Sequence, residues 1–280
     1  MKSGESFSGE SPNAYQPSSA SQANRRQRAV VLQSLAIVGV AVTGIIAWHL
    51  IAVGFKLPSA LLPRPLEVFQ ASYENRAKLL QGFLITGLAA AAGLVAAVAI
   101  GSLISVAFSQ SRRVRLAFFP YIVFLQTVPI VAIAPLLIIW SGYEFRTVVI
   151  VTVIVCLFPI VNNVTAGLTT VDRQLSDLFS LYGSGRAKRL VKLQWPAAIP
   201  ALVIGVKTSS GLAVIGAIVA EFFVGSGSDY EGLGTLMTLW QGRMATDALI
   251  GAVFASTALG LILFGAVELV SRTLLRRWTR

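Results

Sequence analysis

The stretch Val171–Pro200, VDRQLSDLFSLYGSGRAKRLVKLQWPAAIP, is the longest polar, charged segment between strongly apolar runs. It holds five Lys or Arg and two Asp. On its N-terminal side lies Arg146–Thr170 and on its C-terminal side Ala201–Val224, each apolar and each long enough to cross a hydrocarbon layer. About 20 helical residues span the roughly 30 Å of bilayer hydrocarbon. The segment therefore reads as a loop between two membrane helices.

Composition carries the same message. Only 12% of the 280 residues are charged and 55% are hydrophobic. A soluble domain carries about 25% charged residues. The net charge of +11 sits in short segments beside apolar runs, which is the pattern of cytoplasmic loops and not a nucleic-acid footprint. A single cysteine, Cys156, lies inside an apolar run; it excludes a disulfide within the chain and reads as a buried structural thiol.

Residues 1–28 contain seven Ser with Gln, Asn, Pro and Gly, and have little apolar content. They are expected to be a disordered cytoplasmic tail, because they cannot bury enough surface to fold. Residues 29–280 are expected to be one transmembrane domain. Six spans are predicted at about 29–55, 81–108, 116–140, 146–170, 201–224 and 248–271. The third carries Pro120, Pro129 and Pro135, so it should be kinked or broken and should face the protein interior. Between the first two spans, Leu66–Leu80 reads either as a short amphipathic surface helix or as a plain loop. If the N-terminus is inside, 17 of the 23 Lys and Arg fall on the cytoplasmic side and 6 outside. The expected fold is thus an all-α polytopic membrane protein with six transmembrane helices, both termini cytoplasmic, and the loop 171–200 between helices 4 and 5.

Within that loop Asp172 suits a helix N-cap. Val171, Leu175, Leu178, Phe179 and Tyr182 recur at helical spacing. Gly183 follows as a helix stop. Arg186, Lys188, Arg189 and Lys192 make the rest basic, and Pro196 and Pro200 are expected to end it before the fifth span. Two readings stay open from the residues alone: a docking helix for a partner protein, or a basic loop lying on anionic headgroups.

The spacing of these residues resembles the EAA loop of ABC importer permeases, Glu-Ala-Ala, three residues, Gly, nine residues, Ile-x-Leu-Pro. Asp177 stands at the Glu, Leu178 and Phe179 at the two Ala, Gly183 at the Gly, Leu193 at the Ile, Trp195 at the Leu and Pro196 at the Pro. LLPRPLEV at Leu61–Val68, QTVPIVAIAPLLIIWSG at Gln126–Gly142 and AIVAEFF at Ala217–Phe223 are similar to stretches in permeases of the nitrate, sulfonate, taurine and pyrimidine-precursor group. The resemblance implies a pore subunit in the cytoplasmic (inner) membrane. It also implies a second permease copy or a close relative, cytoplasmic ATP-binding subunits docked on Asp177, Leu178, Phe179, Gly183, Arg186, Leu193, Trp195 and Pro196, and an external solute-binding protein. ATP and Mg would be held by the partner ATPase, leaving this chain with no cofactor or metal of its own. Membrane lipid is the other expected partner, and nucleic acid is not one.

Polar residues inside spans are functional candidates because they are costly there. Gln126 and Thr127, just before Pro129, are candidates for the translocation pathway, as is Asn162; interhelical hydrogen bonding is the competing role for each. At least one of Asn162 and Asn163 is expected to serve helix packing. Glu221 reads either as part of an outer vestibule and the pathway or as a wet interfacial residue. Lys207 is expected to snorkel to the cytoplasmic face, and Glu268 to be exposed. Gly205, Gly211 and Gly216 in the fifth span point to close helix packing, in the subunit core or at a dimer interface.

No GxxxxGK[ST] loop is present, so the chain is not expected to hydrolyse ATP, and no catalytic constellation appears. The serious alternative is a secondary transporter driven by an ion gradient. That class usually needs paired intramembrane charges and internal repeats, and the sequence displays neither.

Overall fold

A computed structural model describes residues 19–225 and 230–278. Most of the expected tail, residues 1–18, lies outside them. The described residues are helical throughout, with no strands. The chain divides into two units, Met1–Lys56 and Leu57–Arg280. The first contains one long helix, α1 (Ser19–Gly54). Its helix starts inside the stretch expected to be a tail, because no Gly or Pro interrupts Ser19–Ala29 and the helix propagates back from the apolar run.

The second unit holds α2 (Pro65–Glu74), α3 (Arg76–Gln110), α4 (Arg112–Thr127), α5 (Ile130–Ser141), α6 (Phe145–Thr169), α7 (Arg173–Leu181), α8 (Arg186–Arg189), α9 (Trp195–Val224), α10 (Leu233–Gly242) and α11 (Thr246–Trp278). Four helical stretches are long and apolar enough to cross a membrane: 76–110, 145–169, 186–224 and 246–273. The pair α4–α5 would be a fifth, bent by 101°. In α1 the apolar stretch among the described residues is Val38–Gly54.

The predicted third span is therefore broken, and the break falls at Val128–Pro129. Pro120 and Pro135 lie inside their helices; the break comes where the residue before a proline takes extended backbone, with Val128 at φ −71°, ψ 126°. The surface-helix reading of the first loop holds for α2, which starts on Pro65 and is closed by the Arg64 N–H donating to Glu67 Oε2 at 2.9 Å. It ends at Asn75 instead of Leu80, and residues 76–80 belong to α3.

Pro196 and Pro200 do not end the loop. The chain is helical without interruption from Arg186 to Val224. A π-helical turn, Leu190–Gln194, joins α8 to α9, and the Trp195 N–H bonds the Leu190 carbonyl five residues back. Pro196 follows directly after this wider turn, a local adjustment of the ladder that accommodates its missing N–H.

Helices α3, α6 and α9 form the core. Its seam is a ladder of small residues. On α9, Gly216 lies against Thr152 and Val155 of α6, Gly205 against Pro159, Ile160 and Asn163, and Ala198 and Ala201 against Gly167. Between these rungs Ser209 Oγ donates to the Cys156 carbonyl at 3.2 Å, and Cys156 Sγ to the Ser209 carbonyl at 3.4 Å. The pairing runs antiparallel. On its other side α6 meets α3 in parallel, with Gly93 on Thr152 and Gly101 on Ile160. Ser105 Oγ donates to the Val161 carbonyl at 3.2 Å. A Cβ on Gly101 would come within 2.7 Å of Ile160 Cγ2, and one on Gly167 within 2.9 Å of the Ala198 Cα.

Small residues make up most of the buried face of α3, with Leu94 and Phe108 the large exceptions. Gly82, Ala89, Ala90, Gly93, Ala97, Gly101 and Ser105 are buried, while Leu84, Leu88, Val95 and Leu103 are exposed. Close backbone approach drives helix association where the solvent is as apolar as leucine. We call the end of this packet where α3 and α6 start the upper end, and the end where they finish the lower end. Helix α10 and Met237 and Trp240 within it close the upper end, packed on Ala71 of α2 and on Ala248 and Ala252 of α11.

Candidate functional site

Three polar regions stand out: the exposed loop from Asp172 to Pro196, a buried cluster at the upper end, and a crevice at the lower end.

In the loop, Asp172 caps α7 by accepting from the Gln174 N–H at 2.8 Å. Helix α7 stops at Gly183, whose φ of +61° is left-handed and favours glycine. The Gly183 N–H reaches the Ser180 carbonyl and the Ser184 N–H the Phe179 carbonyl, both at 3.0 Å, which is the paired closure of a Schellman motif. The apolar stripe remains uncovered: Leu181 and Tyr182 are 85% and 80% exposed, and Leu175 and Leu178 are exposed as well. Asp177 and Arg186 are exposed too, and Phe179 is half-buried. The far end of the loop is anchored. Leu193 is buried, Trp195 packs against the core, and Pro196 is half-buried. Gln110 Nε2 at the end of α3 donates to Gln194 Oε1 at 2.9 Å, tying the π-helical turn to the packet.

At the upper end Glu221 is fully buried, so it is not the wet interfacial residue that one of its two readings expected. Thr86 Oγ1 donates to its carboxylate at 2.9 Å, Tyr230 OH to Oε1 at 2.9 Å, and the Gly234 N–H to Oε2 at 2.8 Å. Thr86 Oγ1 in turn accepts from the Leu233 N–H at 2.8 Å. Glu221 of α9 and Thr86 of α3 thus cap the first turn of α10, where free N–H groups and the helix dipole favour an acidic group. A Cβ on Gly234 would lie 2.5 Å from the Ile218 carbonyl, so glycine admits the carboxylate. Neither α10 nor Thr86 is anticipated by the sequence reading. Leu233, Leu236, Met237 and Trp240 repeat at i, i+3, i+4, i+7, a signal that would have found the helix.

The other pathway candidates separate. Gln126, Thr127 and Pro129 sit together at the α4–α5 elbow and are exposed, with Thr127 Oγ1 turned back to the Phe124 carbonyl at 2.9 Å. Asn162 lies on a crevice of about 420 Å³ between α4 and α6 at the lower end, with Arg115, Thr165, Thr169 and Thr170 among its lining. Asn163 packs on Gly205 and donates to the Pro159 carbonyl at 2.7 Å, the packing role expected of at least one of the two.

Lys207 neither snorkels free nor leaves Glu268 exposed. Lys207 Nζ meets Glu268 Oε2 at 2.5 Å, and Arg272 Nε meets Glu268 Oε1 at 2.8 Å. A paired charge therefore exists between α9 and α11. Sequence distance along one helix could not reveal it, because the partners come from different helices.

Residues 90–279, more than half of the chain, match the family described as "Binding-protein-dependent transport system inner membrane component". A probable ABC transporter permease protein of Haemophilus influenzae is 30% identical over 85% of this chain and 94% of its own length. The formylaminopyrimidine transport permease protein ThiX of Halalkalibacterium halodurans is 30% identical over 77% of this chain and 85% of its own. A putative aliphatic sulfonates transport permease protein, SsuC of Bacillus subtilis, is 27% identical over 67% and 66%. These relatives are named as transport permease proteins, and the matched family is described as an inner membrane component. By this match and by its apolar helices, the chain belongs to the ABC importer permeases of the binding-protein-dependent family.

Proposed function

We propose that this protein is the pore subunit of an ATP-driven importer in the cytoplasmic membrane. It would cross six times with both termini in the cytoplasm, α1 supplying the first crossing and α4–α5 the third. The lower end is then cytoplasmic and the upper end external. Two copies form the pore, and two ATP-binding subunits, which hold ATP and Mg, dock on the loop. A solute-binding protein delivers a small organic anion or a vitamin or pyrimidine precursor.

The observation that supports this most is the uncovered apolar stripe on α7. Leu181 and Tyr182 stand exposed on a capped, glycine-stopped helix that belongs to no core. Exposed apolar groups on an ordered amphipathic helix suit a groove in a partner. The other half of the loop suits transmission. Leu193 and Trp195 fix it to α9, and α9 lies along α6 for most of its length, so a push delivered to that half would reach the core helices. Closure of the ATPase dimer would drive alternating access in this way, with the elbow residues Gln126, Thr127 and Pro129 and the crevice residue Asn162 along the path. Glu221, bonded on every side, would serve to hold the upper end.

The test is co-purification of the tagged chain, followed by uptake in vesicles. An ATP-binding subunit should accompany the chain, and uptake should require ATP. A variant Gly183→Val, which forces a β-branched residue into left-handed backbone at about 1–2 kcal/mol or more, should stay in the membrane and lose ATP-coupled uptake. Uptake that follows an ion gradient without ATP would sink the reading in favour of a secondary transporter.

A further inference from the structure

The lower crevice contains three polar groups that the fold leaves without partners. The Arg115 guanidinium and the Asn162 side-chain amide make no hydrogen bond or ion pair among the described residues, and both line the crevice. The third is Thr165, 4% exposed, whose Oγ1 is buried and unpartnered. Its neighbours on α6 show what is unusual. Thr169 donates to the Thr165 carbonyl and Thr170 to the Ala166 carbonyl, both at 2.8 Å. For Thr165 the carbonyl four residues back is that of Val161, which Ser105 Oγ of α3 already approaches at 3.2 Å. The Ser105 hydroxyl, which lies nearer the Gly101 carbonyl of its own helix at 2.7 Å, packs beside the Val161 carbonyl, and Thr165 Oγ1 stays unpartnered.

Buried polar groups without partners cost free energy, and most in native proteins are satisfied. Thr165 is such a group, and the half-buried Arg115 and the exposed Asn162 line the same cavity beside it. Arg115 gives it a single fixed positive charge, and a guanidinium suits the planar or forked oxygens of an oxyanion. Asp172, the carboxylate that follows Thr170 most closely, already accepts the Gln174 N–H of its own cap. The volume, about 420 Å³, is many times the roughly 30 Å³ share of a water molecule, so a small oxyanion fits with its residual hydration.

We infer that the crevice between α4 and α6 is a binding site for a single oxyanion, held by Arg115 with Asn162 and Thr165. Resting on the permease reading, this deepens it: the site lies at the end where solute would leave for the cytoplasm, and it selects anions such as sulfonates or carbonates. A lipid phosphate from the inner leaflet presents the same chemistry.

The experiment uses the full chain with its co-purified ATP-binding subunit in nanodiscs, once in purely zwitterionic lipid and once with phosphatidylglycerol. Ethanesulfonate and bicarbonate are titrated in the zwitterionic discs and binding is followed by calorimetry and thermal shift. Saturable binding of either anion, weakened at least tenfold by Arg115→Gln and unchanged by Arg112→Gln, is the expected result and assigns the carried solute. Arg115-dependent retention of phosphatidylglycerol, with no binding of the free anions, assigns the lipid source and also upholds the site. Thr165→Val, nearly isosteric, should raise the melting temperature without anion and reduce the rise that anion produces. Anion binding that Arg115→Gln leaves untouched, in protein that still carries its ATP-binding subunit, overturns the site and spares the permease reading. Loss of the ATP-binding subunit from the wild-type preparation would count against that reading and leaves the anion titration to stand on its own.

Discussion

At the upper end, Glu221 collects Thr86, Tyr230 and the Gly234 N–H around one buried carboxylate. At the lower end, Arg115, Asn162 and Thr165 line one crevice and bond to nothing among the described residues. Both clusters put charge beside apolar helices. The first is closed on itself, and its donors and acceptors are matched within the fold. The second is incomplete, and what would match it is an anion from outside. An intramembrane charge is a functional candidate only after its partners are counted: the same cost that marks Glu221 as noteworthy in the sequence is offset by three helices in the structure.

The comparison breaks most sharply at Glu221. Glu221→Ala leaves Thr86, Tyr230 and the first turn of α10 without their acceptor, a loss expected to cost about 3–5 kcal/mol. Thermal unfolding in detergent should show it as a drop larger than for any lower-end variant. Glu221→Gln keeps one acceptor oxygen and should fall between wild type and Ala. A Glu221→Ala protein of unchanged stability but altered solute specificity would place this residue on the pathway after all.

Thr86→Val tests the same cluster more gently. It removes one hydroxyl that both donates to Glu221 and accepts from Leu233, and about 1–3 kcal/mol is expected. Hydrogen exchange should then rise at the N–H groups of Leu233 and Gly234, and protection that stays the same would show that Thr86 does not hold α10.

Gly101→Val probes the neutral packing between the two ends. Its Cβ meets Ile160, and overpacking of this kind costs about 1–3 kcal/mol; a melting curve on purified protein measures it.

The smallest effect, and one of opposite sign, is expected at Thr165. Valine there removes an unpartnered hydroxyl and should stabilise by up to about 1 kcal/mol in the absence of anion. Destabilisation would mean that the hydroxyl has a partner and that the lower end is as closed as the upper.

Much of the helical layout is legible along the chain. Long apolar runs flanked by charge give α3, α6 and α11 to within a few residues, and Asp172 with Gly183 marks both ends of α7. Prolines were less readable. Pro129 breaks a helix while Pro120, Pro135, Pro159 and Pro200 sit inside one, because neighbouring turns can widen or share carbonyls to absorb the missing N–H. The π-helical turn before Pro196 is one such adjustment. Helix α10 was hidden by its brevity: ten residues fall below the length of a span.

The sequence by itself determined that this protein is built of long apolar helices of membrane-spanning length, and that one basic loop carries an ordered helix with a glycine stop. These are properties of period, length and local backbone chemistry, and each is written in contiguous residues. Only the tertiary structure decided which polar groups are spent and which are free. Lys207 finds Glu268, Glu221 finds Thr86, and Thr165 Oγ1 finds no partner among the described residues. Each pairing depends on residues from different helices meeting at a few ångströms, a distance set by the glycines and alanines that let α3, α6 and α9 approach.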